Sequence, residues 1–242
     1  MDSNYKAYDH VASFSRVDGI LAQPQSDYEE VNELPDRDRL TYSNGFYANC
    51  SALFADIRES SKLPELYRRP ALAKLYRAYI SEMVAIMNGN ERAREVNIVG
   101  DCVWAVFNTP LKKHIDGVFS AAAQANSLVK ILNYKLIKAG YSKPIGVGIG
   151  MAYGRALMIK AGYNGSGIAD VVYMGDVVNR AAKLAAQGSS GFGIPAVMID
   201  DVFASNLNED NQKLVTKDRN RGCYTANVVN SAMNDWYERN CT

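Results

Sequence analysis

The chain predicts an α+β fold, a ferredoxin-like sandwich with a partly antiparallel sheet. Three observations carry this. Apolar segments alternate between a two-residue and a 3.6-residue period. Glycine and asparagine mark each switch. The resulting order is strand, helix, strand–strand, helix, strand, then additions, the split βαβ arrangement with helices on one face of the sheet.

Residues 1–44 are polar and partly acidic, with AQPQSDYEEVNELPDRDRL at their centre. They read as an arm, with a short helix around YDHVASFSRVDGIL. The main domain is expected over 45–242. FYANCSALFADI (46–57) is apolar and aromatic and predicts a buried strand. Apolar residues then recur at helical spacing from Leu72 to Met87, and NGN stops the helix. REVNIVGDCVWAVFN predicts two short strands joined at Gly100–Asp101. LKKHIDGVFSAAAQANSLVKILNYKLIKAG predicts a long amphipathic helix ended by Gly140. PIGVGIGMAYGRALMIKAG suggests two strands around Tyr153–Gly154. After a Gly-rich loop, VVYMGDVVNRAAKL reads as a turn running into a helix that reaches about Gln187. GIPAVMID predicts a strand, Asp201 to Asn206 a short helix, and KLVTKD with CYTANVV a closing strand pair.

The 242 residues suit one large domain, or one with extensions. A formal net charge of +1 gives no global pull toward nucleic acid or membrane. No apolar run approaches the roughly 18 residues of a membrane span. MDSNYKAYDH lacks a signal core, so a cytoplasmic location is expected. Cys50, Cys102, Cys223 and Cys241 show no CxxC or zinc spacing and fit free thiols in a reducing compartment. His10 and His114 are too far apart for a histidine metal centre.

Two carboxylates occupy special places. Asp56 ends the first core strand, and Asp101 sits at the tip of the next hairpin. Read alone, each can be a cap or a turn residue. Together they can share divalent cations, and hard oxygen ligands favour magnesium or manganese. Two such ions serve in-line phosphoryl transfer. The loop IRESS after Asp56, which holds Arg58, leads into a helix N-terminus whose free N–H groups can seat phosphates. Further on, Asn179 and Lys183 are four residues apart and stack on one helical face among alanines. Arg180 lies about 100° round the helix from Asn179, which makes it a weaker candidate for the same role.

Four segments, ALFADIRESSKL, NIVGDCVWAVF, IGVGIGMAYGRALMIKAG and YMGDVVNRAAKLA, resemble in order and spacing the signatures of class III nucleotide cyclase catalytic domains. The resemblance covers about residues 46–225 and implies a head-to-tail homodimer with its active sites in the interface. It implies that Asp56 and Asp101, helped by the Ile57 carbonyl, hold two Mg2+ or Mn2+ ions. Asn179 would reach in from the other subunit to orient the ribose. Lys183 stands where the family normally has an Arg that stabilises the transition state on the α-phosphate. A basic residue in the C-terminal hairpin normally holds the terminal phosphates; Arg219 and Arg221 are offered here, Lys217 less well. The implied reaction forms a 3′,5′-cyclic nucleotide and pyrophosphate from a nucleoside triphosphate.

In that family two positions choose the base. The first is Lys for adenine or Glu for guanine, and here it is Asn97; the second is Val172. Neither purine pattern is present. An amide with one donor and one acceptor can pair with uracil or cytosine. Phe54 and Tyr47 are aromatic residues that either narrow the pocket or fill the core. The leader NELPDRDRLTYSNGFYANC and the compact length are similar to the bacterial pyrimidine cyclases of the Pycsar antiphage system. That likeness implies cyclic UMP or cyclic CMP as product and a separate effector protein as its receiver. Two other readings stay open: a purine cyclase with an unusual pocket, and a cyclase-like domain that binds nucleotide with little or no turnover. A polymerase-like palm would need fingers, thumb and a basic channel, which this chain does not offer.

Overall fold

Gly45–Ile57 forms a 13-residue strand in the middle of one sheet. The computed structural model describes residues 3–241. In chain order these form α1 (His10–Leu21), β1 (Tyr28–Glu30), β2 (Gly45–Ile57), α2 (Leu63–Leu66), α3 (Arg69–Asn88), β3 (Ala93–Val99), β4 (Cys102–Asn108), α4 (Lys112–Lys138), β5 (Val147–Tyr163), β6 (Ile168–Met174), α5 (Asp176–Gln187), β7 (Val197–Ile199), α6 (Asp201–Asn206), α7 (Glu209–Gln212), β8 (Val215–Asp218), β9 (Cys223–Ala226) and α8 (Ser231–Asn240). The sheet order is β3-β4-β2-β5-β7-β9-β8, with β1 added to β2 and β6 to β5. β2 runs antiparallel to both β4 and β5. The four core strands therefore carry the expected ferredoxin-like order.

Alternation along β2 explains why its sequence is apolar on both parities. Leu53, Ala55 and Ile57 enter one core with Leu75, Tyr79 and Met83 of α3 and Val118, Phe119 and Ala122 of α4. Cys50, Ala52 and Phe54 enter a second core with Val177, Ala181 and Ala185 of α5. A central strand covered on both faces loses the polar face of a half-exposed one. This corrects the expectation of helices on one face: α5 packs on the other. It does so because β5 offers no side chain there. A Cβ on Gly150 would lie 2.1 Å from the Ala181 carbonyl, and one on Gly148 2.1 Å from the Ala185 carbonyl.

Other expectations also change. Tyr153–Gly154 joins no two strands; β5 runs 17 residues through it, pairing with β2 from Val147 to Ile159. Gly154 lies inside β5 beneath Val177 and makes no turn. The hairpin turn lies at residues 164–167, where Gly165 and Gly167 have φ of 81° and 75°. What read as a turn before α5 is β6, paired with β5 from Leu157 to Tyr163. α8 follows the last strand pair and packs on α4, with Lys130 bonded to Glu238 at 3.0 Å.

The expected helix in the arm is α1, capped by Asp9 through the Val11 and Ala12 N–H groups. The rest of the arm is docked. Leu34 and Leu40 are buried in the second core. The Leu34 N–H donates to Asn108 Oδ1 at 3.0 Å, and β1 pairs parallel to the start of β2.

Candidate active site

The second face of the sheet carries the candidate chemistry. By register Asn97 lies opposite Trp104, which lies opposite Phe54, and Val99 lies opposite Cys102. These residues, with Asp56 two positions beyond Phe54, therefore project on the α5 side. Phe54, Asp56, Val99, Cys102, Trp104, Ala182 and Ala185 line a cavity of about 310 Å³. Its floor is a parallel stack of Phe54 on Trp104, centroids 5.1 Å apart. Trp104 was missed in the sequence reading, although its place on the strand opposite Asn97 and Phe54 was the available signal. Tyr47 lies at the other end of β2, under the Arg155 guanidinium.

Asp101 stands at the β3–β4 tip after Gly100, whose φ of 62° makes the tight turn. Its Oδ2 is buried without a hydrogen-bond partner. Asp56 is raised above the ordinary carboxylate range, first by burial and then by the negative charge of Asp101; Arg58 opposes this. The two carboxylates thus share one electrostatic site. Burial and the charges of Asp56 and Asp101 push the Cys102 thiol up to about 12, against a smaller opposing pull from Arg58. The oxygens available to hold a divalent ion here are those of Asp56 and Asp101, with the carbonyl of Ile57 at the end of β2 next to Asp56. Among the described residues no group of three or more His, Cys, Asp or Glu could hold a metal. Few carboxylates and an unpartnered oxygen fit magnesium or manganese, whose remaining positions are filled by water and phosphate.

Arg58 does not extend into open space. Its Nη2 pairs with Asp56 Oδ2 at 2.5 Å, and its Nη1 donates to the Ala186 carbonyl at 2.9 Å. It therefore ties the end of α5 to Asp56. The loop after it forms a short 3-10 turn, Ser60–Lys62, before α2.

Asn97 Nδ2 is buried and unpartnered. Val172 does not share its surroundings. It pairs with Ile159 on β6, on the opposite face by alternation, and is 40% exposed. Its neighbour Tyr173 is the residue on the second face, beside Glu95.

Asn179 and Lys183 are exposed on α5. Lys183 lines a different cavity, of about 150 Å³, with Arg180, Leu184, Gln187, Asp200, Gly222 and Cys223. Ala182 and Ala185 of the same helix line the Asp56 cavity. One chain thus keeps the Asp56–Asp101 pair and Lys183 on different sides of α5. In the C-terminal hairpin, Arg221 pairs with Asp218 and Lys217 with Asp201. Among the described residues Arg219 makes no ion pair and stands exposed at the tip.

A larger cavity, about 700 Å³, lies elsewhere, between α1 and the β5–β6 hairpin. It includes Ile159, the partner of Gly45 at the opposite end of β2 from Asp56. Among the described residues no helix is long and apolar enough to cross a membrane.

Residues 43–222 match the adenylate and guanylate cyclase catalytic domain. The chain is 39% identical to a uridylate cyclase of Gulbenkiania mobilis, over 99% of this chain and 100% of that protein. It is 35% identical to a uridylate cyclase of Treponema porcinum, over 96% and 82%. Its fold is similar to the crystal structure of an adenylyl cyclase from P. aeruginosa, with a TM-score of 0.65 and 21% identity over 78% of this chain and 98% of that one.

Proposed function

The chain belongs to the adenylate and guanylate cyclase catalytic domain family, and from that premise we propose that it is a pyrimidine nucleotide cyclase, converting UTP to 3′,5′-cyclic UMP and pyrophosphate. The observation that carries the choice of UTP is the pair of relatives named uridylate cyclase, matched along nearly the whole chain. Asn97 agrees with it. A buried, unpartnered amide donor costs about 1–3 kcal/mol. The O4 of uracil can accept that donor while N3–H donates to Oδ1.

In this reading Asp56, Asp101 and the Ile57 carbonyl hold two divalent cations. Such ions, when bound, lower the pKa of the 3′-hydroxyl and neutralise charge on the leaving pyrophosphate. The bond from O3′ to the α-phosphorus forms, the bond to the bridging α–β oxygen breaks, and the hydroxyl proton leaves to solvent. The Phe54–Trp104 stack closes the floor beside Asp56 against water. Lys183 lines a different cavity from its own Asp56 and Asn179 lines neither, and in this reading both serve the site of a second copy. A head-to-tail homodimer gives each site one chain's carboxylates and the other's α5. Asn179 orients the ribose, Lys183 meets the α-phosphate, and Arg219 is the hairpin cation left for the terminal phosphates. The product acts as a second messenger in antiphage defence by switching on a separate effector protein.

The test is an equimolar mixture of the four NTPs with manganese, its products separated and weighed by mass spectrometry. Cyclic UMP should dominate. Cyclic CMP as the main product would move the assignment to CTP, and cyclic AMP or cyclic GMP would remove the pyrimidine reading.

A further inference from the structure

We propose that Arg180, held by the buried Asp200, supplies the guanidinium that position 183 lacks, and that it contacts the triphosphate bound at the partner copy's carboxylates. The proposal rests on the cyclase reading above and adds a catalytic residue to it.

Arg180 and Lys183 are three residues apart on α5, so they are neighbours on the helix surface. They line one cavity with Gly222 in the turn of the β8–β9 hairpin and Cys223 at the start of β9. The cavity thus lies between α5 and the hairpin that carries Arg219. It holds two cations against one carboxylate, which suits an anion.

The environment of Asp200 is the second observation. Its side chain is 1% exposed, and neither oxygen accepts a hydrogen bond. A buried carboxylate left so is costly. Its position before α6 suggests an N-cap, but it makes no capping bond. Its one close charged partner among the described residues is Arg180, whose Nη2 stands 2.9 Å from Oδ1. One guanidinium nitrogen faces Asp200, and the other donors of Arg180 have no partner among the described residues. Asp200 therefore fixes where the charge sits and leaves planar donors free. Arg180 is 52% exposed at the mouth of the cavity. A guanidinium offers a fork to phosphate oxygens, whereas Lys183 offers a point charge. With Arg180 in place, a Lys at position 183 is no loss.

The conservative variant Arg180→Lys keeps a cation for Asp200 and removes the fork. Its kcat should fall about 30-fold with KM changed much less, the pattern of an interaction made in the transition state. Its thermal midpoint should stay at the wild-type value. Adding Lys183→Arg to that variant should restore about tenfold. An unchanged kcat in Arg180→Lys, or a fall matched by a drop in thermal midpoint, would reduce the residue to a structural ion pair. Mixed dimers test which site it serves. Chains carrying Asp101→Asn and chains carrying Arg180→Lys, each weak alone, should together regain about a quarter of wild-type activity. Half of the random dimers are mixed, and each of these has one intact site. No gain on mixing would place Arg180 in its own chain's site and overturn the proposal. Failure of the cyclase reading is distinct: wild-type protein would then form no cyclic nucleotide from any NTP.

Discussion

Under α3 and α4, the inward residues of β2 are Leu53, Ala55 and Ile57, all apolar and buried. Under α5, the same strand offers Phe54 and then Asp56, and its neighbours add Asn97 and Glu95. Asn97 Nδ2 on this side and Asp101 Oδ2 at the β3–β4 tip are buried without a hydrogen-bond partner, as is the Tyr79 hydroxyl of α3 in the first core. Each such atom costs about 1–3 kcal/mol, and the second side combines them with two carboxylates, the charge of Asp101 raising the cost of charging Asp56. The first face is an apolar core against two helices; the second sets carboxylates and an unpartnered amide among its apolar contacts.

The largest separation between the faces should come from Asp101→Asn. The change keeps shape and leaves the Arg58–Asp56 pair in place, but removes one carboxylate charge. Turnover should fall at least about a thousandfold, roughly 4 kcal/mol, with little change in thermal midpoint. Product formation beside a melting curve reads both. Activity within tenfold of wild type would detach the carboxylates from the chemistry. On the other face, Leu75→Ala empties part of a core in which Leu75 has no exposed surface. It should cost about 2–5 kcal/mol in a urea titration. The kcat per folded molecule should stay put, and a parallel loss of kcat would show that the faces are not separable. Gly150→Ala tests the joint between them. Its methyl would overlap the Ala181 carbonyl, so α5 must lift. A loss of about 1–3 kcal/mol is expected, with a fall in kcat because Ala182 and Ala185 wall the Asp56 cavity.

The first face was legible in the sequence because its pattern is local. Helical spacing from Leu72 to Met87 and the long apolar stripe ending at Gly140 state where α3 and α4 lie. The Gly100–Asp101 hairpin and Asp56 were equally plain, being marked by a turn residue and a strand end. What escaped depends on pairing across distance. Tyr153–Gly154 was read as a joint, but it lies inside β5, whose pairing with β2 runs straight through it. The docking of Leu34 and Leu40 rests on contacts with Asn108 and the second core, and no periodicity announces such contacts. The Arg180–Asp200 pair joins residues twenty positions apart through the fold alone. Its sequence sign, an Arg beside Asn179, was visible without its meaning.

The smallest effect lies where the arm meets the second face. Glu95 is buried, with its side chain 7% exposed, and Arg37 of the arm stands 3.1 Å away. Burial raises the Glu95 carboxyl above its usual 4.5; Arg37 pulls it down, Asp170 raises it again, and the Tyr173 hydroxyl lowers it. The net direction is upward, so the folded chain holds this proton more tightly than the unfolded one. Between 4.5 and the raised value the native state carries the extra proton, and stability falls as pH rises through that window. Above the window the full penalty remains. Glu95→Gln removes the titration, so its stability at neutral pH should match or exceed wild type by up to about 1 kcal/mol, with a flatter slope through mildly acidic pH. Arg37→Ala should act oppositely, extending the window upward, because one pull on the proton's release is gone. Urea midpoints for the three proteins across that range decide it. If Glu95→Gln is clearly weaker than wild type at neutral pH, the Arg37–Glu95 pair outweighs its burial and is what holds the arm on the sheet.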